Sequence, residues 1–366
     1  MRATLRVKFL IVVGSILAVS FGCARNPSDS ILPLQPTSLP ENEFIEQDLP
    51  NGFGYVSRYF EVYFTDPHNP QREMKKDGLD RLLATAIDQA RVSLDIAIYS
   101  LDDHVISFAI IRAKEKGVSV RVAVEGDNMD SDAIQNLITN GIEVKADVRS
   151  GLMHNKFMII DGIEVWTGSM NYTYSSIYDD HNSLVRVRSA EIAENYEVEF
   201  LELFEGNASS NTPYPKVIVG GFTVENYFSP DDRFAYRMVE LLNSIDDSAR
   251  FMMYTFTADD YSEVLIKKAS DGLEILGVME SSTIEVAGSD FKTMQLNGID
   301  LKAIDDSGVM HHKTMILDSK TVIFGSYNFT ASAEKKNDEN ILVINSPQLA
   351  ELFLMEFERV NSPNSK

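Results

Sequence analysis

Two short stretches of this 366-residue chain carry the same residue types at the same spacing. His154-Asn155-Lys156 leads through four apolar residues to Asp161, and His311-His312-Lys313 leads through Thr314 and three apolar residues to Asp318. Both read His-x-Lys-x4-Asp. Seven residues past each aspartate stand Gly168-Ser169-Met170-Asn171 and Gly325-Ser326-Tyr327-Asn328. Residues two apart on a strand point the same way, so each histidine shares a face with its lysine. An imidazole, with an unperturbed pKa of about 6.5, serves near neutral pH as nucleophile or as acid. The ammonium beside it attracts an anion, and Ser169, Asn171, Ser326 and Asn328 add neutral polar groups. Two such sets brought together make a phosphate site with an imidazole on each side. Asp161 and Asp318 belong to the same candidate catalytic set. Asp161-Gly162 is also a hairpin signal, so a turn role competes with a chemical one. A zinc site from His154, His311 and His312 lacks any accompanying HExxH or carboxylate spacing. A single cysteine excludes a multi-cysteine centre, and neither metal nor cofactor is expected.

The elements that must position these residues repeat as well. The step of 157 residues from His154 to His311 also carries the GSxN tails. Upstream, Tyr99-Ser100-Leu101-Asp102-Asp103 reads as the counterpart of Phe256-Thr257-Ala258-Asp259-Asp260. The chain is therefore two copies of one unit. Val92, Leu94, Ile96 and Ile98 alternate as a strand, and so do Val118, Val120, Val122 and Val124. Residues 105–116 have helical apolar spacing closed by Gly117, and 130–140 form a second helix closed by Gly141. Segments 157–160 and 163–167 flank the Asp161-Gly162 turn, and an apolar-periodic helix around 191–205 ends the unit. The second unit repeats this and ends in a helix over 347–360. The fold class is α/β, with a mixed sheet flanked by helices in each half. The first unit is expected over 53–206 and the second over 218–366, joined by a linker at 207–217 that holds Pro213 and Pro215.

Composition sets the outer limits. At 44% apolar and 24% charged, the chain is ordinary for a globular protein, which excludes disordered and fibrous classes. A formal charge of −22 argues against non-specific wrapping of nucleic acid, whose affinity comes from neutralised phosphates. Arg2, Arg6 and Lys8 precede an uncharged run over 9–22. That run is shorter than the roughly 20 residues of a membrane span, so residues 1–22 read as a signal peptide. Gly22-Cys23 resembles the cleavage point of a bacterial lipoprotein signal, which implies lipidation at Cys23. Residues 23–52, with Pro27, Pro33, Pro36, Pro40 and Pro50, read as a semi-extended tether. The expected location is the bacterial cell envelope, held at a membrane.

The doubled HxKxxxxD…GSxN motif resembles the phospholipase D superfamily over roughly residues 53–360. The resemblance implies tandem units related by a pseudo-two-fold with the active site between them, so that one chain suffices. It also implies two-step phosphodiester cleavage without a metal. His154 is then the nucleophile that forms a phosphohistidine, and His311 is the acid and base. Lys156, Lys313, Asn171 and Asn328 bind phosphoryl oxygens, with Ser169 and Ser326 in support. Family members commonly carry an acidic residue some ten positions past GSxN that orients a histidine. Glu339 fits in the second half, and the first half carries His181 at what reads as the matching position. The implied activity is hydrolysis of phospholipid head groups, with transfer to another alcohol as the same chemistry with a different acceptor. An endonuclease of the same superfamily, with nucleic acid as substrate, and a non-catalytic surface binding module are the alternatives.

Overall fold

The computed structural model describes residues 39–206, 211–305 and 308–362. The expected signal segment 1–22, Cys23 and most of the tether lie outside the described residues. Among these residues no helix is long and apolar enough to cross a membrane.

Two large mixed sheets dominate. The first has the order Ile45–Gln47, Phe53–Val56, Phe60–Phe64, Ser183–Arg188, Glu164–Gly168, Lys156–Ile160, Ser93–Ile98, Ser119–Glu125, Glu143–Asp147. The second runs Lys216–Val219, Phe222–Ser229, Glu339–Asn345, Thr321–Gly325, Lys313–Leu317, Ser248–Met253, Glu274–Glu280, Asp300–Ile304. From Phe60–Phe64 and Phe222–Ser229 onward the two orders are the same, as a duplicated α/β unit requires. Ser93–Ile98 runs parallel to Ser119–Glu125 and antiparallel to Lys156–Ile160, and Ser248–Met253 has the corresponding neighbours. Two expected boundaries move. Ile45–Gln47, assigned to the tether, is an edge strand paired with Phe53–Val56. Lys216–Val219, begun inside the expected linker, is the edge strand of the second sheet.

The upstream repeat also changes register. Ser93–Ile98 corresponds to Ser248–Met253, a step of 155, so Tyr99 answers Tyr254 and not Phe256. The two additional residues of the second half lie between Glu280 and Asp300, where the helix Phe291–Leu296 replaces Asp132–Thr139. Downstream of that insertion the step is 157.

The helices follow their sequence signals. Asp103 caps His104–Glu115 by accepting from the Ile106 amide, and Gly117 ends it at φ +90°. Three cores form. One lies on the outer face of each sheet, under the helices of its own half. The third is shared: Phe64, Phe157, Tyr196 and Phe200 of the first half meet Phe228, Phe324, Phe353 and Phe357 of the second. Phe64 packs edge-on against Phe353 at 5.1 Å, and Tyr196 against Phe228 at 5.0 Å. The long closing helices Ala190–Glu205 and Pro347–Asn361 both bury their apolar faces in this core. Burial of so much aromatic surface locks the halves to each other, and that docking sets the geometry of the residues between them.

Candidate active site

His154 and His311 each sit two residues before the start of a central strand, Lys156–Ile160 and Lys313–Leu317. Those ends lie beside the C-terminal ends of the parallel strands, since Ile98 pairs with Lys156 and Met253 with Lys313. Loops at that end of an α/β sheet are where ligands bind. Two buried carboxylates fix the segments that lead in. Glu125 accepts the Met153 amide at 2.6 Å, and Glu280 accepts the Met310 amide at 2.9 Å. Each closes a parallel strand, so the sequence pattern alone gave no hint of a role at the site.

The lead-in segments then cross to the opposite half. The His154 amide donates to the Asp338 carbonyl at 3.0 Å, and the His311 amide to the His181 carbonyl at 3.0 Å. Close approach demands glycine on both sides. A Cβ on Gly151 would lie 1.9 Å from the Lys336 carbonyl oxygen, and one on Gly308 would lie 2.3 Å from that of Asp179. The reciprocity of these contacts is the pseudo-two-fold, and the histidines lie on either side of it.

The side chains cross in the same way. His154 Nδ1 meets Glu339 Oε2 at 2.8 Å, and His311 Nδ1 meets Asn182 Oδ1 at 2.9 Å. One sequence reading is corrected: the counterpart of Glu339 is Asn182, with His181 answering Asp338. Glu339 itself serves the histidine of the other half. The Asn182 amide is fixed by its own partners, because Nδ2 donates to the Ser176 carbonyl at 2.9 Å. Its oxygen must therefore face His311 and accept from Nδ1–H, which leaves Nε2 toward the cleft.

Lys156 and Lys313 are both 1% exposed, and each ammonium donates to the carbonyl of its own histidine, at 2.7 and 2.9 Å. Burial drives the Lys156 pKa well below its ordinary value and lowers that of Lys313 to about 7, while Glu339 opposes both shifts. Burial likewise holds His154 down to about 4 against the pull of Glu339, and holds His311 well below 6.5 with the help of both lysines. Glu339 stays ionised although it is wholly buried, because His154 and Lys156 favour its charge. A phosphodiester anion bound between the two lysines would oppose their downward shifts and stabilise their ammonium forms, which one shared carboxylate does only in part.

The remaining expected residues divide. Asn171 and Asn328 are half-buried beside the site, and among the described residues neither amide oxygen has a partner. Ser169 and Ser326 are wholly buried and turned away from the cleft. Ser169 donates to Asn182 at 2.8 Å and accepts the Ser183 amide, while Ser326 accepts the Asn340 amide and bonds Glu339. They brace the groups behind the histidines. Asp161 and Asp318 are not in the site at all. They lie past the far ends of the five-residue strands, seven residues on from the histidines, a separation of roughly 20 Å by strand rise. Asp161 accepts the amides of Arg91, Val92 and Ser93, and Asp318 those of Asp246, Asp247 and Ser248. Each begins a left-handed turn, at φ +54° and +49°, and ties the start of a neighbouring strand to it. The catalytic reading of these two aspartates gives way to a structural one. His312 is buried with Nε2 on Glu356 at 2.9 Å, where its counterpart Asn155 bonds Glu199.

A cavity of about 190 Å³ lined by Asp179, Asp180, Glu280 and Asp305 opens near the lead-in to His311. A larger one of about 960 Å³ lies away from the histidines, between the helices Phe234–Asn243 and Asp259–Ser270.

Residues 83–204 and 238–361 both match the family model described as cardiolipin synthase, PLD-like domain, and together they take in more than half of the chain. The chain belongs to this family. The chain is similar to a phospholipase D of Rickettsia typhi, 29% identical over 142 residues, which is 39% of this chain and 70% of that one. It is also similar to a mitochondrial cardiolipin hydrolase of Chlamydomonas reinhardtii, 27% identical over 124 residues and 34% of this chain. The chain spans 56% of the length of that relative. The solved phosphatidylserine synthase of Haemophilus influenzae aligns over 88% of both chains with a TM-score of 0.60 at 12% identity, a likeness of the tandem PLD-like fold.

Proposed function

We propose that this PLD-like protein is a phosphodiesterase that releases head groups from phospholipids through a phosphohistidine on His154. The observation that carries the reading is the unequal backing of the two imidazoles: carboxylate behind His154, neutral amide behind His311. A carboxylate stabilises the positive charge that a ring develops as it attacks phosphorus, which suits a nucleophile. An amide oxygen stabilises an imidazolium less, so His311 gives its proton up more readily, which suits an acid.

In the first step His154 Nε2 attacks phosphorus and the bond to the leaving alcohol breaks. His311 Nε2–H protonates the departing oxygen. The neutral His311 then takes a proton from water, water oxygen attacks phosphorus, and the P–N bond breaks to free His154. Lys156 and Lys313 neutralise the non-bridging oxygens throughout. The bound phosphodiester anion itself favours the protonated His311 that the first step needs.

A lipid substrate is supported by Leu152 and Val309, equivalent residues 37% and 36% exposed in the two lead-in segments, and by the −22 charge. The relatives named cardiolipin hydrolase and phospholipase D point the same way. The lipoprotein-like Gly22-Cys23 supports, as the last part of the proposal, a lipid anchor at a membrane of the bacterial envelope. Loss of the chain from the membrane fraction in Cys23→Ser would test that part.

The test of the chemistry uses His311→Ala with a 4-nitrophenyl phosphodiester, whose leaving group needs no acid. The expected result is a burst of one equivalent of nitrophenolate and a phosphorylated His154 peptide. A stalled phosphoryl group on His311 in His154→Ala would reverse the roles. Phospholipid vesicles and DNA offered in parallel decide the substrate, since cut DNA with intact lipid would make the protein a nuclease.

A further inference from the structure

Tyr99 and Tyr254 belong to neither motif, and the step of 155 between them hides them from the 157-residue repeat. Each directly follows a central strand, Ser93–Ile98 or Ser248–Met253. Each is fastened by its amide to the residue between histidine and lysine: Tyr99 to the Asn155 carbonyl and Tyr254 to that of His312, both at 3.0 Å. The Tyr99 ring stands 5.2 Å from the His154 ring at 69°, and Tyr254 stands 5.3 Å from His311 at 63°. The same two rings lie under the lysines, with Lys156 Nζ 5.0 Å from the Tyr99 centroid and Lys313 Nζ 5.4 Å from that of Tyr254. One arrangement thus occurs twice, in two halves whose surrounding loops differ.

We infer that Tyr99 and Tyr254 are positioning residues, whose ring faces hold the two lysines charged and aimed at the phosphate and whose flanks hold the two histidines in place. The physical need is plain. Lys156 is faced by Glu339, Lys313, His154 and His311, and Lys313 by Glu339, Asp180, Lys156, His154 and His311. Two cations largely dependent on one wholly buried carboxylate are under-compensated, and each would lose its proton or swing toward solvent. A ring face attracts a desolvated ammonium without adding a titratable negative charge that would repel the substrate. Its bulk also closes the sideways path of both side chains. The ring does this, and the hydroxyl is not required.

The inference rests on the phosphodiesterase reading for its kinetic arm only. In the full chain, Tyr99→Phe and Tyr254→Phe should stay within about two-fold of wild type on bis(4-nitrophenyl) phosphate. Tyr99→Leu and Tyr254→Leu should lose about ten-fold in kcat/KM, the equivalent of a cation–π attraction of about 1.4 kcal/mol. Their alkaline limb should also move down by about one pH unit, because the lysines shed protons sooner. A second arm needs no turnover: ¹³C-labelled lysine Cε resonances followed by NMR should titrate lower for Lys156 in Tyr99→Leu and for Lys313 in Tyr254→Leu. Unchanged lysine titration in the leucine variants overturns the inference, and so does a phenylalanine variant as impaired as the leucine one. A wild-type enzyme silent on every phosphodiester would sink the functional reading and leave the NMR arm to decide this one.

Discussion

Replacing Glu339 by glutamine keeps the shape behind His154 and removes only its charge. Glu339 is wholly buried, accepts from His154 Nδ1 at 2.8 Å and from Asn337 Nδ2 at 3.2 Å, and is bonded by Ser326. At an effective dielectric of about 20 and a charge separation of about 5 Å, a carboxylate stabilises a developing imidazolium by roughly 3 kcal/mol. That corresponds to a loss of about two orders of magnitude in kcat. The larger effect should appear in kcat, because the imidazole charge that Glu339 stabilises develops in the transition state. KM should rise by less, since Glu339 also favours the charge on Lys156 and Lys313, which hold the substrate anion. Steady-state kinetics on a soluble phosphodiester separate the two constants, with thermal melting as a check on folding. A kcat within about three-fold of wild type in a folded variant, or a loss confined to KM, would refute the assignment of Glu339 to the nucleophile.

Three further outcomes follow from other parts of the molecule. Asp161→Ala removes a carboxylate that receives three backbone amides and should cost about 2 kcal/mol in urea unfolding while leaving kcat nearly unchanged. Burial raises the Asp103 pKa to about 7 in the folded chain, against about 3.9 when unfolded. The fold therefore keeps a proton that the unfolded chain has released, so this group makes stability fall between about pH 4 and pH 7 and level off above; Asp103→Asn should flatten that slope in unfolding measured across the range. Gly151→Ala and Gly308→Ala each place a methyl against a backbone carbonyl of the other half, and should lower both melting temperature and turnover at least ten-fold in activity; a normal melt with normal rate would show that the halves do not meet as described.

Much of the fold was legible because its signals are local. Period-two runs, glycines past helix ends and the Asp161-Gly162 turn depend on a few neighbouring residues, and the structure places strands, helices and hairpins where they pointed. The second hairpin turn has Ser319 at φ +52° without a glycine, held by the Asp318 carboxylate's grip on the neighbouring strand. The upstream repeat was matched two residues out of step, because the insertion between Glu280 and Asp300 falls in a loop-and-helix segment with little pattern of its own. The same local view could not see Tyr99 and Tyr254, although Ile98-Tyr99-Ser100 and Met253-Tyr254-Thr255 carry the signal once the step of 155 is allowed.

What the sequence determined by itself was the pair of units, the α/β class and the identity of the four cationic or titratable groups His154, Lys156, His311 and Lys313, since duplication and strand periodicity are written along the chain. What only the tertiary structure decided was which residue stands behind which histidine. Glu339 reaches His154 and Asn182 reaches His311 because the shared aromatic core docks the two sheets about a pseudo-two-fold, so that each lead-in segment runs along the opposite half. Spacing along one chain specifies which side chains share a face; which face they meet is set by packing between elements far apart in sequence.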